Sequence, residues 1–167
     1  MRWNGLLASV VLGGALMWPA AAGAAGGDFA VGGGTNGFFQ IGVSAHSGPN
    51  GEDPSGFVSA RSRPNGGFPV PFRFGGHVTC LVVSGNHASI KYRFDHSDDP
   101  TLEGGGIQIF IEDNGPPQNG QSADGTSFLA PMTKEAFEAS QPGVCAPPPP
   151  AGYTQGESGN FVVHDEP

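Results

Sequence analysis

The stretch "GHVTCLVVSGNHASIKYRF" (residues 76–94) decides the fold class. Past Gly85-Asn86, the residues Ala88, Ile90, Tyr92 and Phe94 alternate with His87, Ser89, Lys91 and Arg93. A period of two belongs to a strand with one buried face, not to a helix. A two-residue turn at Gly85-Asn86 puts Leu81 and Val83 on that face with Ile90 and Ala88. It also sends Cys80 to the opposite face, across from Lys91, whereas a three-residue loop swaps the faces. The two-residue register is expected, because each apolar residue of the second strand then meets Leu81, Val83 or Thr79.

The same alternation recurs on both sides of this hairpin. In "GFFQIGVSAHS" (37–47) Phe39, Ile41, Val43 and Ala45 alternate with polar or small residues, and "FVSARS" (57–62) reads as the next strand after a turn-rich loop. "FPVPFRF" (68–74) is expected at a sheet edge, since proline cannot donate to a ladder. Its Phe68, Phe72 and Phe74 fit core packing, an apolar pocket or a docking edge. "GGGIQIFIEDNG" (104–115) turns Ile107, Ile109 and Ile111 inward and ends in a turn at Asn114-Gly115. A short strand is expected in "TSFLAPM" (126–132) and a last one in "NFVVH" (160–164), pairing back into the sheet. "TKEAFEAS" (133–140) is the one plausible helix, started at Thr133 and stopped by Gln141-Pro142-Gly143. The run "CAPPPPAGY" (145–153) is expected as an extended surface strap. The fold class is therefore all-β, an antiparallel β-sandwich or small β-barrel with at most one short helix.

The chain opens "MRWNGLLASVVLGGALMWPAAAGAAGG", with Arg2, an apolar run from Leu6 to Trp18 and the small-residue site Ala22-Gly23-Ala24. This is the pattern of a secretory signal peptide over residues 1–24, too short to span a bilayer. A glycine-rich flexible lead-in is expected over 25–35, then a single β domain over 36–167. The whole chain carries 7 Lys+Arg against 15 Asp+Glu, a formal charge of −8 that becomes −9 without Arg2. A surface of that sign disfavours nucleic acid and anionic membrane as partners, because both present phosphate to Lys and Arg.

Cys80 and Cys145 are the two cysteines, and in an exported chain an even pair reads as a disulfide. A catalytic thiolate is disfavoured on geometry. His77 and Cys80 are three apart on a strand and point to opposite faces, and a strand centre offers nothing to lower a thiol pKa. With Cys80 facing away from the core, Cys145 must bring the helix and proline run over that face. Closing so long a loop is worth about 4 kcal/mol in the chain-entropy picture.

The segments "SAHSGPNGEDPSGFV", "GHVTCLVVSGNHASI", "FIEDNGPP" and "SGNFVVHD", in this order, resemble uncharacterised secreted single-domain β proteins of actinobacteria. The resemblance implies a compact exported β domain with Cys80 and Cys145 joined.

Signatures of local catalytic motifs are missing: there is no G-x-S-x-G, H-E-x-x-H or P-loop. "AVGGGTNG" (30–37) precedes a strand instead of opening a helix, so it is not a phosphate cradle. His46 and His164, at the ends of the first and last confident strands, are the histidines expected at a sheet rim, where a dispersed Ser/His/Asp site would need one. Asp95, Asp98, Asp99 and Glu103 concentrate hard oxygen ligands of the kind Ca²⁺ takes, without EF-hand spacing. No other cofactor is expected, and "EDNG" reads as turn chemistry. The expectation is a secreted, extracellular, non-catalytic β domain with a structural or interaction-mediating role. The alternatives are a carrier for a small apolar ligand and a hydrolase with a dispersed Ser/His/Asp site. A filled interior would exclude the carrier.

Overall fold

The structure is a computed structural model that describes residues 26–64, 66, 71–119 and 123–167. The expected signal peptide and Phe68 lie outside the described residues. Ten strands are seen among the described residues: β1 (Phe29–Thr35), β2 (Phe39–His46), β3 (Ser55–Ser62), β4 (Arg73–Ser84), β5 (His87–Arg93), β6 (His96–Ser97), β7 (Gly106–Glu112), β8 (Gly125–Phe128), β9 (Thr154–Gln155) and β10 (Ser158–His164). They form one antiparallel sheet in the order β10-β1-β2-β3-β4-β5-β7-β8-β9, with β6 added to β4. The sheet curls into a half-barrel. Beside a 3-10 turn at Pro100–Leu102, the described residues hold one short helix, α1 (Lys134–Ala139).

The β4–β5 hairpin has the expected register, with Leu81 opposite Ile90, Val83 opposite Ala88 and Cys80 opposite Lys91. One detail differs. A bulge between Val78 and Cys80 places Val78, not Thr79, opposite Tyr92. The extra residue kinks β4 where it changes partners: Arg73 to His77 pair with β3, and Val78 to Ser84 with β5. A bulge bends its strand and raises the local twist, so β4 is the corner about which the sheet folds over its core. Gly76 stands at that corner, where any Cβ would collide with the backbone carbonyl of Arg93.

Two expectations are corrected. The segment 25–35 is not a flexible lead-in, because Phe29–Thr35 forms β1, paired on one side with β2 and on the other with β10. The pairing begins one residue earlier, where the Asp28 carbonyl accepts from Ser47 N at 2.9 Å. Gly32, at φ +135°, passes so close to β10 that a Cβ would collide with the Asn160 carbonyl. The glycines that lower strand propensity are here what lets tightly curled strands approach. The expected sheet edge is corrected at the end of the proline-bearing stretch: its last two residues, Arg73 and Phe74, open β4, a central strand, and Phe74 lies in the core.

The inner face collects the alternating residues read from the sequence. Phe39, Ile41, Val43 and Ala45 from β2, Leu81 from β4, Ile90 and Tyr92 from β5, and Ile107, Ile109 and Ile111 from β7 form one cluster. The outer face of β4, β5 and β7 is covered as well. Thr133 caps α1, and Phe137 is fully buried with the Arg93 guanidinium over its ring at 5.1 Å. Cys145 is joined to Cys80, their Cα atoms 5.8 Å apart. Lys91 Nζ donates to the carbonyls of Ser140 (3.0 Å) and Gln141 (3.2 Å). Thr79 Oγ1 donates to Pro142 O (2.8 Å), and Ser89 Oγ and Gln108 Nε2 donate to Ala146 O (2.7 and 2.9 Å). The strap is thus a hydrogen-bonded layer as well as a cross-linked one.

The two ends of the sheet meet without a ladder. The chain leaves β9, beside β8, and two residues later enters β10, beside β1. Across the gap Asp124 accepts from Phe161 N (2.7 Å), and Asp113 from Val163 N (3.0 Å). The second oxygen of each carboxylate stays on its own side, accepting from Asn114 N (3.0 Å) and Gly115 N (2.8 Å) respectively. Buried Asn36 adds a bond from its Nδ2 to Thr126 Oγ1 (2.9 Å). Side-chain acceptors therefore satisfy amides on the outer edge of β10 that would otherwise be orphaned.

Candidate functional site

The curl of the sheet leaves a cavity of about 380 Å³ on its inner side. Phe39 and Ile41 of β2, Ala60 of β3, Phe74 of β4, Tyr92 of β5 and Ile107 and Ile109 of β7 make its walls. Phe38, Phe72, Phe128 and Pro131 also line it. The period-two pattern of each strand explains the composition, since these wall residues sit on the inward phase of their strands. Edge-to-face contacts of Phe39 with Phe72 (5.9 Å), Phe74 (5.8 Å) and Phe128 (5.6 Å) brace the aromatic wall. Phe38 and Phe128 are exposed on their outer side, at the mouth.

None of the described residues that line it is charged. Tyr92 brings the one side-chain hydroxyl among them; it is buried and its Oη has no hydrogen-bond partner. Leaving a buried hydroxyl unpaired costs about 1–3 kcal/mol. Burial also pushes its pKa far above the ordinary phenol range, so it stays a neutral O–H.

A larger concavity of about 780 Å³ crosses the outer face of the sheet, over Gly33, Gly42, Ser59 and Gly75. It is a shallow groove floored by small residues. The smaller cavity is the better site, because ligand pockets are characteristically apolar enclosures with a few polar groups.

The acidic loop read from the sequence is dispersed among separate partners. Asp95 pairs with His77, and Asp98 with Arg73 (3.4 Å) and His96 (3.1 Å). Asp99 caps the 3-10 turn through Thr101 N (2.9 Å), and Glu103 ends that turn. Their partners hold Asp98 and Asp99 below the ordinary carboxylate range, against the desolvation that would raise them. Asp95, Asp98 and Asp99 are turned to different neighbours, and no group of three metal-ligating side chains is found among the described residues.

His46 and His164 do reach one rim, on either side of the Phe29 ring at 6.1 and 5.0 Å. Ser44 Oγ lies 3.4 Å from His46 Nε2, whereas Glu166 lies 3.1 Å from His164 Nε2. Serine and carboxylate are on different histidines, so these contacts do not line up as a Ser-His-carboxylate relay. Phe72 and Phe74 line the cavity, as one reading of their cluster held. Sequence reasoning missed Asp124 and the unpartnered Tyr92 hydroxyl; neither has a local motif.

No protein-family model, curated protein or solved structure gives a significant match to this chain. The disulfide fits an oxidising compartment. Among the described residues no helix is long and apolar enough to cross a membrane.

Proposed function

We propose that this is a secreted, non-catalytic β domain that holds a small apolar molecule in its half-barrel. The observation that carries the reading is the cavity of about 380 Å³ with its uncharged, largely aromatic wall. A core that served stability alone would close on itself, since unfilled apolar volume forfeits dispersion contacts and is destabilising. Export rests on the pattern of residues 1–24 and on the cysteine pair, and the strap stiffens the wall strands β4, β5 and β7 from behind.

The test is native mass spectrometry of the secreted protein, with organic extraction and gas chromatography of whatever copurifies, alongside an Ala60→Phe variant. Ala60 lines the cavity, and a benzyl group there takes up roughly a third of it and leaves too little room for a ten-carbon chain. Wild type is expected to bind an apolar probe such as n-decane in headspace partition, and the folded variant to lose that binding. Equal uptake by both, or none by wild type, would refute the container.

A further inference from the structure

Resting on that reading, we infer that the cavity selects a flat aromatic hydrocarbon, about two fused rings in size, over a saturated molecule of the same carbon number. Six of the described residues that line it are aromatic: Phe38, Phe39, Phe72, Phe74, Tyr92 and Phe128. Their rings fall into crossed orientations. Phe39 stands at 77° to Phe72, 75° to Phe74 and 87° to Phe128, whereas Phe72 and Phe74 lie 22° apart with centroids 5.6 Å from each other. A planar ring lying parallel to Phe39 therefore meets Phe72, Phe74 and Phe128 steeply, and one lying parallel to Phe72 and Phe74 meets Phe39 steeply. Offset-stacked and edge-to-face pairs are the arrangements that aromatic quadrupoles favour, so a ring in either orientation continues the packing of the wall. A saturated molecule gains burial and dispersion from the same wall and nothing from its quadrupoles.

The rest of the site narrows the class. None of the described lining residues is charged, the Tyr92 hydroxyl is itself buried, and the surface that the cavity exposes is almost wholly apolar. An ionised or strongly hydrated group would lose its water there with nothing to replace it. Phe38 and Phe128, exposed on their outer side, carry the aromatic lining out to the mouth. Size sets the other bound. A cavity of about 150 Å³ accepts benzene, so one of about 380 Å³ holds roughly two such rings. Naphthalene and its small alkyl derivatives fit these limits.

The experiment compares naphthalene with trans-decalin, of equal carbon number, by headspace partition over the protein. Each probe's uptake is divided by its partition into dodecane, so that plain hydrophobicity cancels. Wild type is expected to enrich naphthalene over decalin about fivefold, the size of one favourable ring pair. Phe72→Leu and Phe128→Leu keep the lining apolar at positions that are not fully buried, and thermal melting checks that both fold. Each variant is expected to cut the enrichment to about half or less, while decalin uptake is unchanged or rises. If both probes bind without enrichment, or the enrichment survives undiminished in both variants, the ring selectivity is wrong and the container stands. If neither probe binds, the container reading fails and this inference with it.

Discussion

Replacing Asp124 by alanine tests how the half-barrel is held shut. The carboxylate is 1% exposed and accepts from Phe161 N at 2.7 Å and from Asn114 N at 3.0 Å. Alanine leaves the Phe161 amide buried and unpaired, at about 1–3 kcal/mol, and loses the partly buried bond from the Asn114 amide to a charged acceptor, about 1–2 kcal/mol more. Relief of the carboxylate's own desolvation offsets part of this. A net loss of about 3 kcal/mol is expected, a large fraction of the roughly 5–15 kcal/mol typical of a domain. Asparagine keeps one acceptor and turns an N–H₂ toward the other amide, so it should lose about half as much. Urea denaturation reads the loss as a lower midpoint at constant slope. Amide exchange should become faster at Phe161, and at Val163 if the seam opens as a unit. A loss below about 1 kcal/mol, or unchanged protection at Phe161, would refute the seam as described.

Converting Cys80 and Cys145 together to alanine should cost about 4 kcal/mol for a sequence separation of 65. The strap should nonetheless stay seated, because its hydrogen bonds to Thr79, Ser89, Lys91 and Gln108 remain; loss of protection at Ala146 in the folded variant would contradict this. Alkaline stability offers a third check. Burial raises the Tyr92 pKa above the ordinary 10.0, so above pH 10 the unfolded chain releases a proton that the folded chain keeps. Its stabilising share is fully present below that pH and falls by about 1.4 kcal/mol per pH unit above it. Lys91, lowered by burial from 10.5, acts with the opposite sign below that value. Wild type and Tyr92→Phe share Lys91, so the difference between their urea stabilities across pH 9–12 isolates Tyr92, and parallel profiles would contradict its burial.

Much of the fold was legible because strand periodicity is a local property. Ala88, Ile90 and Tyr92 had to face one way whatever they packed against, and Gly85-Asn86 set the register that carried Cys80 to the strap side. The misreadings share a cause. Gly32, Gly33 and Gly34 look like a linker by propensity, yet β2 and β10 on either side make a strand of them. The bulge at Thr79 follows from β4 turning a corner, which no single strand announces.

Alternating hydrophobicity, turn chemistry and two cysteines therefore determined, without coordinates, an all-β chain with one short helix and a cross-linked strap. Where the sheet curls, how its ends are pinned by Asp113 and Asp124, and whether the inward phenylalanines fill or enclose space were decided by tertiary structure alone. The physical reason is range: side-chain direction along a strand is set by neighbouring residues. A cavity and a seam are set by the distance between strands far apart in the chain, whose separation depends on the curvature of the whole sheet.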